Sequence, residues 1–300
     1  MGIYPPLVTP LSGPDQLDVP GLERLIEHVL DGGVHGLFVL GTTGEGPALS
    51  YRIRRELIER TCRQVAGRVP VLVGITDTSA IEALSLAGFS ADQGVDAFVL
   101  APPYYFPNSQ PELLEYLGHI VPALPRPVFL YNMPTHTKTH LEADTVRRAM
   151  ELTNLAGIKD SSGNMVYFHH LVALAAGREN WSVLVGPEEL LGESVLLGGC
   201  GGVCGGANLF PRLFVDLYEA ALRRDAAQVA ALQNVVMEIS STLYRVGRHG
   251  SSFLKGLKCA LSLKGICDDA MTEPFQPFQD AERRRVEEIL EKISHRVVAR

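Results

Sequence analysis

Three short stretches of the chain decide its fold: VLVGI at residues 71–75, AFVL at 97–100 and VFLY at 128–131. Each is apolar at successive positions and does not alternate between apolar and polar residues. Strands of this kind are covered on both faces, which is typical of a parallel sheet with helices on either side. The three stretches therefore predict an α/β protein.

The same pattern recurs along the chain, with amphipathic runs of ten or more residues between the apolar stretches. The strand starts lie about 20–35 residues apart, which is the length of one βα unit. The eight candidate strands are residues 3–8, 36–40, 69–75, 97–101, 128–131, 156–159, 183–186 and 202–205. Eight consecutive units predict a closed (β/α)8 TIM barrel, and an open doubly wound sheet is the alternative.

The last part of the chain has a different pattern. From about Pro211 onward it predicts helices only. These helices are expected up to residue 222 and then over 226–246, 252–263 and 280–297. We therefore predict a catalytic barrel over residues 1–222 and a C-terminal helical extension over 223–300. Lys255 and Lys258 are expected on an exposed or interface face of this extension.

The composition predicts a cytoplasmic protein that binds neither nucleic acid nor membranes. Of the 300 residues 46% are hydrophobic and 20% are charged, and the formal net charge is -7. Polyanionic partners need a positive surface, which this charge balance does not favour. No signal peptide or membrane-spanning run is apparent. The five cysteines are odd in number and lack C-x-x-C spacing, which indicates reduced thiols.

A lysine closes one of the predicted strands. In a (β/α)8 barrel the active site lies at the carboxyl ends of the strands, and Lys159 stands at the end of the sixth. Burial disfavours the ammonium form, and a free amine attacks a carbonyl carbon to form a Schiff base. The resulting iminium withdraws electrons, so that a neighbouring carbon–carbon bond can form or break. A salt bridge between Lys159 and Asp160 is the structural alternative.

Two other strand ends carry groups that such a reaction needs. Tyr131 is predicted on the adjoining strand, where its phenol can carry a proton, although a buried tyrosine is often only a core residue. The turn at residues 41–44, Gly-Thr-Thr-Gly, offers backbone N–H groups and two hydroxyls that suit a carboxylate. Glycines of this kind are also ordinary turn residues.

Taken together, these motifs resemble the dihydrodipicolinate synthase / N-acetylneuraminate lyase family. The resemblance covers nearly the whole chain. The segments that carry it are Gly41-Thr42-Thr43-Gly44-Glu45, Pro103-Tyr104-Tyr105, Tyr131-Asn132-Met133-Pro134, Gly157-Ile158-Lys159-Asp160 and residues 198–206.

The resemblance implies a class I, pyruvate-dependent aldolase or lyase that uses no metal or organic cofactor. Lys159 would form the Schiff base with pyruvate, and Tyr131 would be the acid and base at its oxygen. Thr42 would relay protons to Tyr131, together with a Tyr105 that reaches in from a neighbouring subunit. Thr43 would hold the pyruvate carboxylate. A homotetramer built as a dimer of dimers is also implied.

The resemblance also indicates which residues surround the substrates. Gly186 and Val203 match positions that line the pocket through the backbone. Members that make dihydrodipicolinate carry an arginine where His136 stands, and that arginine binds the carboxylate of aspartate semialdehyde. An imidazole cannot reproduce the bidentate fork of a guanidinium, but His136 or Lys138 stays a candidate for binding an anion of the substrate. Sialic acid lyases carry an acidic pair after strand seven, where Glu188 and Glu189 either bind sugar hydroxyls or complement a helix N-terminus.

Several functions stay open at this level. The leading hypothesis is a Schiff-base aldolase or lyase that forms or cleaves a 2-oxo acid, and 2-keto-3-deoxygluconate aldolases share the pattern at residues 44–50. The first alternative is a 4-hydroxy-tetrahydrodipicolinate synthase, against which His136 argues. A phosphate-binding barrel isomerase would need a catalytic glutamate, and before strand seven only Glu45 stands at a strand end. A non-catalytic relative that binds pyruvate or an amino acid is expected to have lost Lys159 or Tyr131.

Overall fold

The computed structural model describes residues 1–298. Within these residues eight parallel strands form one curled sheet with helices around it. The strands are β1 (Gly2–Ile3), β2 (Leu37–Val39), β3 (Val71–Gly74), β4 (Ala97–Leu100), β5 (Val128–Asn132), β6 (Leu155–Asp160), β7 (Ser182–Val185) and β8 (Gly201–Gly202). Each strand pairs with the next along the chain from β2 to β8, and β8 pairs with β1. The predicted (β/α)8 barrel is therefore confirmed.

The barrel closes where the chain segment that follows β1 lies beside β2. The N–H of Leu7 donates to the carbonyl of Phe38 at 2.8 Å, and the N–H of Phe38 donates to the carbonyl of Pro5 at 3.1 Å. The first strand was expected to run to residue 8, but its regular part ends at residue 3 because Pro5 and Pro6 have no N–H to donate to a ladder.

The last strand is also shorter than predicted. β8 ends at Gly202, and residues Gly205–Asn208 already form a turn of 3-10 helix. A short antiparallel hairpin, Leu11–Gly13 with Gln16–Leu17, connects β1 to the first helix.

The helices between the strands follow from capping residues and apolar faces in the sequence. Ser50 begins the second helix, because its hydroxyl accepts the N–H of Ile53 at 3.3 Å, and Ala66 ends it in a left-handed conformation. The barrel helices are α1 (Val19–Asp31), α2 (Tyr51–Val65), α3 (Ala80–Asp92), α4 (Gln110–Ile120), α5 (Pro134–Thr137), α6 (Ala143–Ala149), α7 (Met165–Ala175) and α8 (Leu191–Leu196).

The C-terminal part is helical, as predicted. It contains α9 (Pro211–Leu222), α10 (Ala226–Thr242), α11 (Ser252–Leu263) and α12 (Asp280–Val298). The run expected to continue to residue 246 ends at Thr242 and passes into an irregular 3-10 segment, Leu243–Arg248. The division at residue 222 stays a prediction. No helix in the described part of the chain is both long and apolar enough to cross a membrane.

Apolar side chains fill two separate regions. The larger core lies between the sheet and the helices. A smaller cluster contains side chains from several barrel strands, among them Phe38, Leu72, Val99, Tyr131 and Val203. Since side chains alternate between the two faces of a strand, the smaller cluster is the inside of the barrel. The catalytic candidate Tyr131 thus lies on the inward face.

Candidate active site

A cavity of about 1040 Å³ opens at the carboxyl ends of the strands. Its buried inner end is built by the barrel and its exposed outer rim by the C-terminal extension. Six of the predicted site residues line the inner end: Thr42, Thr43, Tyr131, Lys159, Gly186 and Val203. The structure therefore brings together residues that are up to 161 positions apart in the chain.

The lysine and the tyrosine lie on neighbouring strands in direct register. Tyr131 of β5 is paired with Lys159 of β6. The Nζ atom of Lys159 lies 4.0 Å from the centroid of the Tyr131 ring and 5.3 Å from that of Phe38. Only 5% of Lys159 is exposed. The ammonium or amine is thus held against aromatic rings at the base of the cavity.

Lys159 is not in a salt bridge with Asp160. Because successive strand residues face opposite sides, Asp160 points away and accepts hydrogen bonds from the Asn132 side chain at 2.8 Å and the Ser162 hydroxyl at 2.9 Å. Burial raises the pKa of Asp160. No carboxylate within residues 1–298 forms an ion pair with Lys159. The salt-bridge alternative is therefore wrong.

The environment of Tyr131 favours loss of its phenolic proton. Burial acts to raise the pKa of Tyr131, but the positive charge of Lys159 and a hydrogen bond with Thr42 outweigh it and lower that pKa. The Thr42 and Tyr131 hydroxyl oxygens are 3.3 Å apart. A phenol with a lowered pKa, next to an amine and a hydroxyl, is suited to proton transfer.

The turn after β2 presents two backbone amides to the cavity. The N–H groups of Gly44 and Gly46 donate to the carbonyl of Gly41 at 3.1 and 3.2 Å. In the described structure the N–H groups of Thr42 and Thr43 donate to no other group of the chain. Such free amides in a tight turn form a concave site for an anion.

An ion pair in the core supports this turn from behind. Glu45 has a left-handed backbone (φ 55°), and its Oε1 lies 2.7 Å from the Nζ of Lys258. The Oε2 of Glu45 accepts the N–H and the hydroxyl of Thr272, both at 2.8 Å. Lys258 also donates to the carbonyl of Thr9 at 3.0 Å. Glu45 is thus fully engaged and unsuited to the catalytic role of an isomerase.

The predicted position of the Lys258 side chain was wrong. It was expected on an exposed or interface face of the extension, but its side chain is fully buried. The amphipathic pattern of α11 assigns a lysine to the polar side, and nothing near it in the chain indicates a carboxylate 213 positions away.

Gly186 and Val203 both line the cavity. The N–H of Gly186 donates to the carbonyl of Asp160 at 2.8 Å, and that of Val203 to Val185 at 2.8 Å. A Cβ atom on Gly186 would lie 1.8 Å from the hydroxyl of Ser161. The absence of a side chain at Gly186 therefore leaves room for the side chain of Ser161, which also lines the cavity.

Tyr105 lies outside this chain's own cavity. It is 69% exposed and packs edge-on against Phe106, with 4.9 Å between ring centroids. The neighbouring Tyr104 lines the cavity instead. The role of Tyr105 in the site of a neighbouring subunit stays a prediction.

The two glutamates after β7 differ in their surroundings. Glu188 is buried and accepts the N–H of Gly206 and the hydroxyl of Tyr244, both at 2.7 Å. Burial raises the pKa of Glu188 to about 7. Glu189 accepts a hydrogen bond from the hydroxyl of Ser240 and lines the cavity.

His136 lies on the short helix α5, at the wall of the cavity. Its Nδ1 lies 3.0 Å from the hydroxyl of Thr135. Partial desolvation and the charge of Lys159 lower the pKa of His136.

Sequence reasoning missed two groups of cavity residues. One is a buried ion pair, in which the Nη1 of Arg54 lies 3.2 Å from the Oδ2 of Asp77; on an amphipathic helix such as α2 an arginine is ordinarily expected on the polar side. The other is the outer rim, which includes Arg245, Arg248 and His249. The glycines at 247 and 250 in this basic segment were the available signal for a break in the helices.

The fold and the site together define a class I aldolase or lyase. The sequence model of the Dihydrodipicolinate synthetase family matches residues 1–293, so the chain belongs to this family and the predicted resemblance is confirmed. It is a pyruvate-dependent lyase.

The relatives agree with this assignment. A 4-hydroxy-tetrahydrodipicolinate synthase of Pseudomonas syringae pv. syringae is 35% identical over 275 residues, 92% of each chain. The structure of a dihydrodipicolinate synthase from Bacteroides thetaiotaomicron matches with a TM-score of 0.95 and 56% identity, covering 97% of this chain and 98% of that one. A prophage protein of the dihydrodipicolinic acid synthase family from E. coli K12, in complex with pyruvate, matches with a TM-score of 0.91 and 29% identity over 98% of each chain.

Proposed function

We propose that this enzyme forms and cleaves carbon–carbon bonds of 2-oxo acids through a Schiff base between pyruvate and Lys159. The observation that carries the proposal is the setting of the Lys159 amine, which is buried on the face of Tyr131 and makes no ion pair in the described part of the chain. A lysine amine that no carboxylate holds in an ion pair is free to approach and attack a ketone.

The reaction balances without an oxidant or a reductant. The amine of Lys159 adds to the keto carbon of pyruvate, and the carbinolamine oxygen leaves as water, which gives the iminium. Loss of a proton from the pyruvate methyl group gives the enamine. Its carbon attacks the carbonyl carbon of an aldehyde, and the new alkoxide takes up a proton. Water then hydrolyses the iminium and releases a 4-hydroxy-2-oxo acid; cleavage runs in reverse.

The other inner residues supply proton transfer and binding in this proposal. Tyr131 gives a proton to the leaving carbinolamine oxygen and to the new alkoxide, and in cleavage it takes the proton from the 4-hydroxyl group, because its pKa is lowered and it lies beside Lys159. Thr42 passes that proton onward. The free amides of Thr42 and Thr43 hold the pyruvate carboxylate. Neither a metal nor an organic cofactor takes part.

The exposed aromatic pair at the end of β4 supports the assembly that the family resemblance implied. In a dimer of dimers, Tyr105 enters the site of the adjacent subunit and extends the proton relay from Thr42. Its 69% exposure in the single chain leaves it available for that contact.

A 4-hydroxy-tetrahydrodipicolinate synthase is the second candidate. It is favoured by the 56% identity to a structure that bears the name dihydrodipicolinate synthase. The exposed His136, which lies within hydrogen-bond distance of Thr135 and has a lowered pKa, is a poor substitute for an arginine that binds a carboxylate.

Trapping with borohydride tests the proposal. Pyruvate and borohydride are added, and the intact mass is measured. We expect one reduced pyruvate per chain on Lys159, none in Lys159→Ala, and full labelling in Lys292→Ala, which changes an exposed lysine of α12. An unlabelled wild type would refute the Schiff base.

A substrate screen then separates the two candidates. Cleavage of sialic acid, 2-keto-3-deoxy sugar acids or 4-hydroxy-2-oxoglutarate would identify an aldolase. Condensation of pyruvate with aspartate semialdehyde, at a rate above all of these cleavages, would identify the synthase.

A further inference from the structure

The outer rim of the cavity carries guanidinium groups of its own. Arg245, Arg248 and His249 line the rim and are exposed. Twelve arginines in the described residues form ion pairs with carboxylates. Neither Arg245 nor Arg248 forms one within residues 1–298. Their charges are therefore available to a ligand.

The backbone turns sharply to place these residues at the rim. Helical geometry is interrupted at Val246 (ψ 136°) and Gly247 (φ 77°). Arg248 then has φ 57°, in the left-handed region that residues with a Cβ rarely adopt. An arginine held in an unfavourable conformation at a cavity rim is an outlier of the kind that concentrates at functional sites.

The carboxylates that line the cavity are engaged elsewhere. Glu45 is paired with Lys258, and Glu188 accepts hydrogen bonds from Gly206 and Tyr244. Glu189 accepts the hydroxyl of Ser240. None of these three forms an ion pair with a rim arginine in the described structure.

We propose that Arg245 and Arg248 bind an anionic group of the second substrate, at the end remote from its reacting carbonyl. This inference rests on the proposed function and assigns a class to the aldehyde: one that carries a carboxylate or a phosphate. Guanidinium groups match both anions with paired hydrogen bonds. The free amides of Thr42 and Thr43 hold the pyruvate carboxylate at the opposite, inner end, so each anion has its own site.

Calorimetric binding to the pyruvate-trapped enzyme tests the site, with succinate and inorganic phosphate as probes. Trapping fills the inner end, so a bound probe reports the rim. We expect the Arg245→Gln/Arg248→Gln variant to bind the preferred probe about 10- to 100-fold more weakly, because it loses charge-assisted hydrogen bonds. Replacement of both arginines by lysine should restore part of the affinity. The probe that binds more tightly identifies the anion as carboxylate or phosphate.

Arg224→Gln is the matched control. Arg224 is also exposed and also has φ 57°, but it lies outside the cavity. Its replacement should leave both probes bound as in the wild type. The inference is overturned if the wild type binds neither probe, or if the double variant binds them as tightly as the wild type.

The trapping step separates this inference from the proposed function. All rim variants should still trap one pyruvate, as measured by mass. If trapping fails in the wild type, the Schiff-base proposal falls. Probe binding measured on the untreated protein then still decides whether the rim arginines form an anion site.

Discussion

The two ends of the cavity are built on opposite principles. At the inner end Lys159 and Tyr131 lie on paired strands and are 5% and 7% exposed. At the outer rim Arg245 and Arg248 are exposed on an irregular segment and form no ion pair in the described part of the chain. Regular strands hold reacting groups within a narrow range of positions, whereas loops tolerate sequence change and carry specificity. Under the proposed function, the inner end of the cavity therefore carries out the reaction and the rim selects the second substrate.

The inner end also depends on the extension, through one contact. The pair of Glu45 and Lys258 joins the turn after β2 to α11, and the hydroxyl of Thr272 donates a further hydrogen bond to Glu45. The extension thus supports the inner end by a buried contact and forms the rim by an exposed segment.

The largest effect is expected at the inner end. Tyr131→Phe should lower kcat by about 10²- to 10⁴-fold, because a general acid and base is lost, while borohydride trapping of pyruvate persists. Tyr116→Phe is the control, since its buried hydroxyl has no partner in the described structure and removal costs no hydrogen bond. Steady-state kinetics with an unchanged kcat would remove Tyr131 from the proton transfer.

The next effect concerns the contact that joins the two regions. Lys258→Met leaves the carboxylate of Glu45 buried without its cation, which should lower the free energy of unfolding by about 3–5 kcal/mol. Arg147→Met breaks an ion pair with Asp144 whose side chains are 57% and 65% exposed, and should cost less than about 1 kcal/mol. Denaturant unfolding gives both values; equal losses would show that the buried pair does not support the turn.

The free energy of unfolding is expected to depend on pH through Glu188, which lies between the two ends of the cavity. Burial raises the pKa of its carboxyl from 4.5 to about 7, so the folded protein holds this proton more firmly than the unfolded chain. The stability that it contributes is complete below pH 4.5 and is lost as the pH rises through about 7. The loss is about 3 kcal/mol over that range.

Glu188→Gln cannot titrate, so its unfolding free energy should fall less than that of the wild type between about pH 5 and about pH 8. Glu179→Gln changes an exposed carboxyl and should keep the wild-type dependence. If Glu188→Gln retains the full decline, the carboxyl does not titrate in this range.

The smallest effect is expected at the rim. Arg248→Gly relieves a left-handed backbone and should raise the free energy of unfolding by up to about 1 kcal/mol, while it weakens anion binding. Arg224→Gly should give a similar gain in stability without any change in anion binding. Arg224 has the same φ of 57° as Arg248, but it lies outside the cavity. A loss of stability in Arg248→Gly would mean that the arginine packs favourably and is not strained.

Much of the inner end was predictable from the sequence. Apolar runs identify strands without reference to any partner, and the last residue of a run marks a barrel strand end. Lys159 and Tyr131 were found in this way, and their neighbouring positions in the sheet followed from the order of the βα units.

Contacts between distant segments were not predictable in this way. The pair of Glu45 and Lys258, the free amides of Thr42 and Thr43 and the rim position of Arg248 all depend on how separate segments meet. The sequence by itself determined the barrel, the helical extension and the lysine at the end of β6, because hydrophobic periodicity is a local property of the chain. Only the tertiary structure decided which charges are buried in pairs and which are left free at the cavity rim, because that depends on packing between residues up to 213 positions apart.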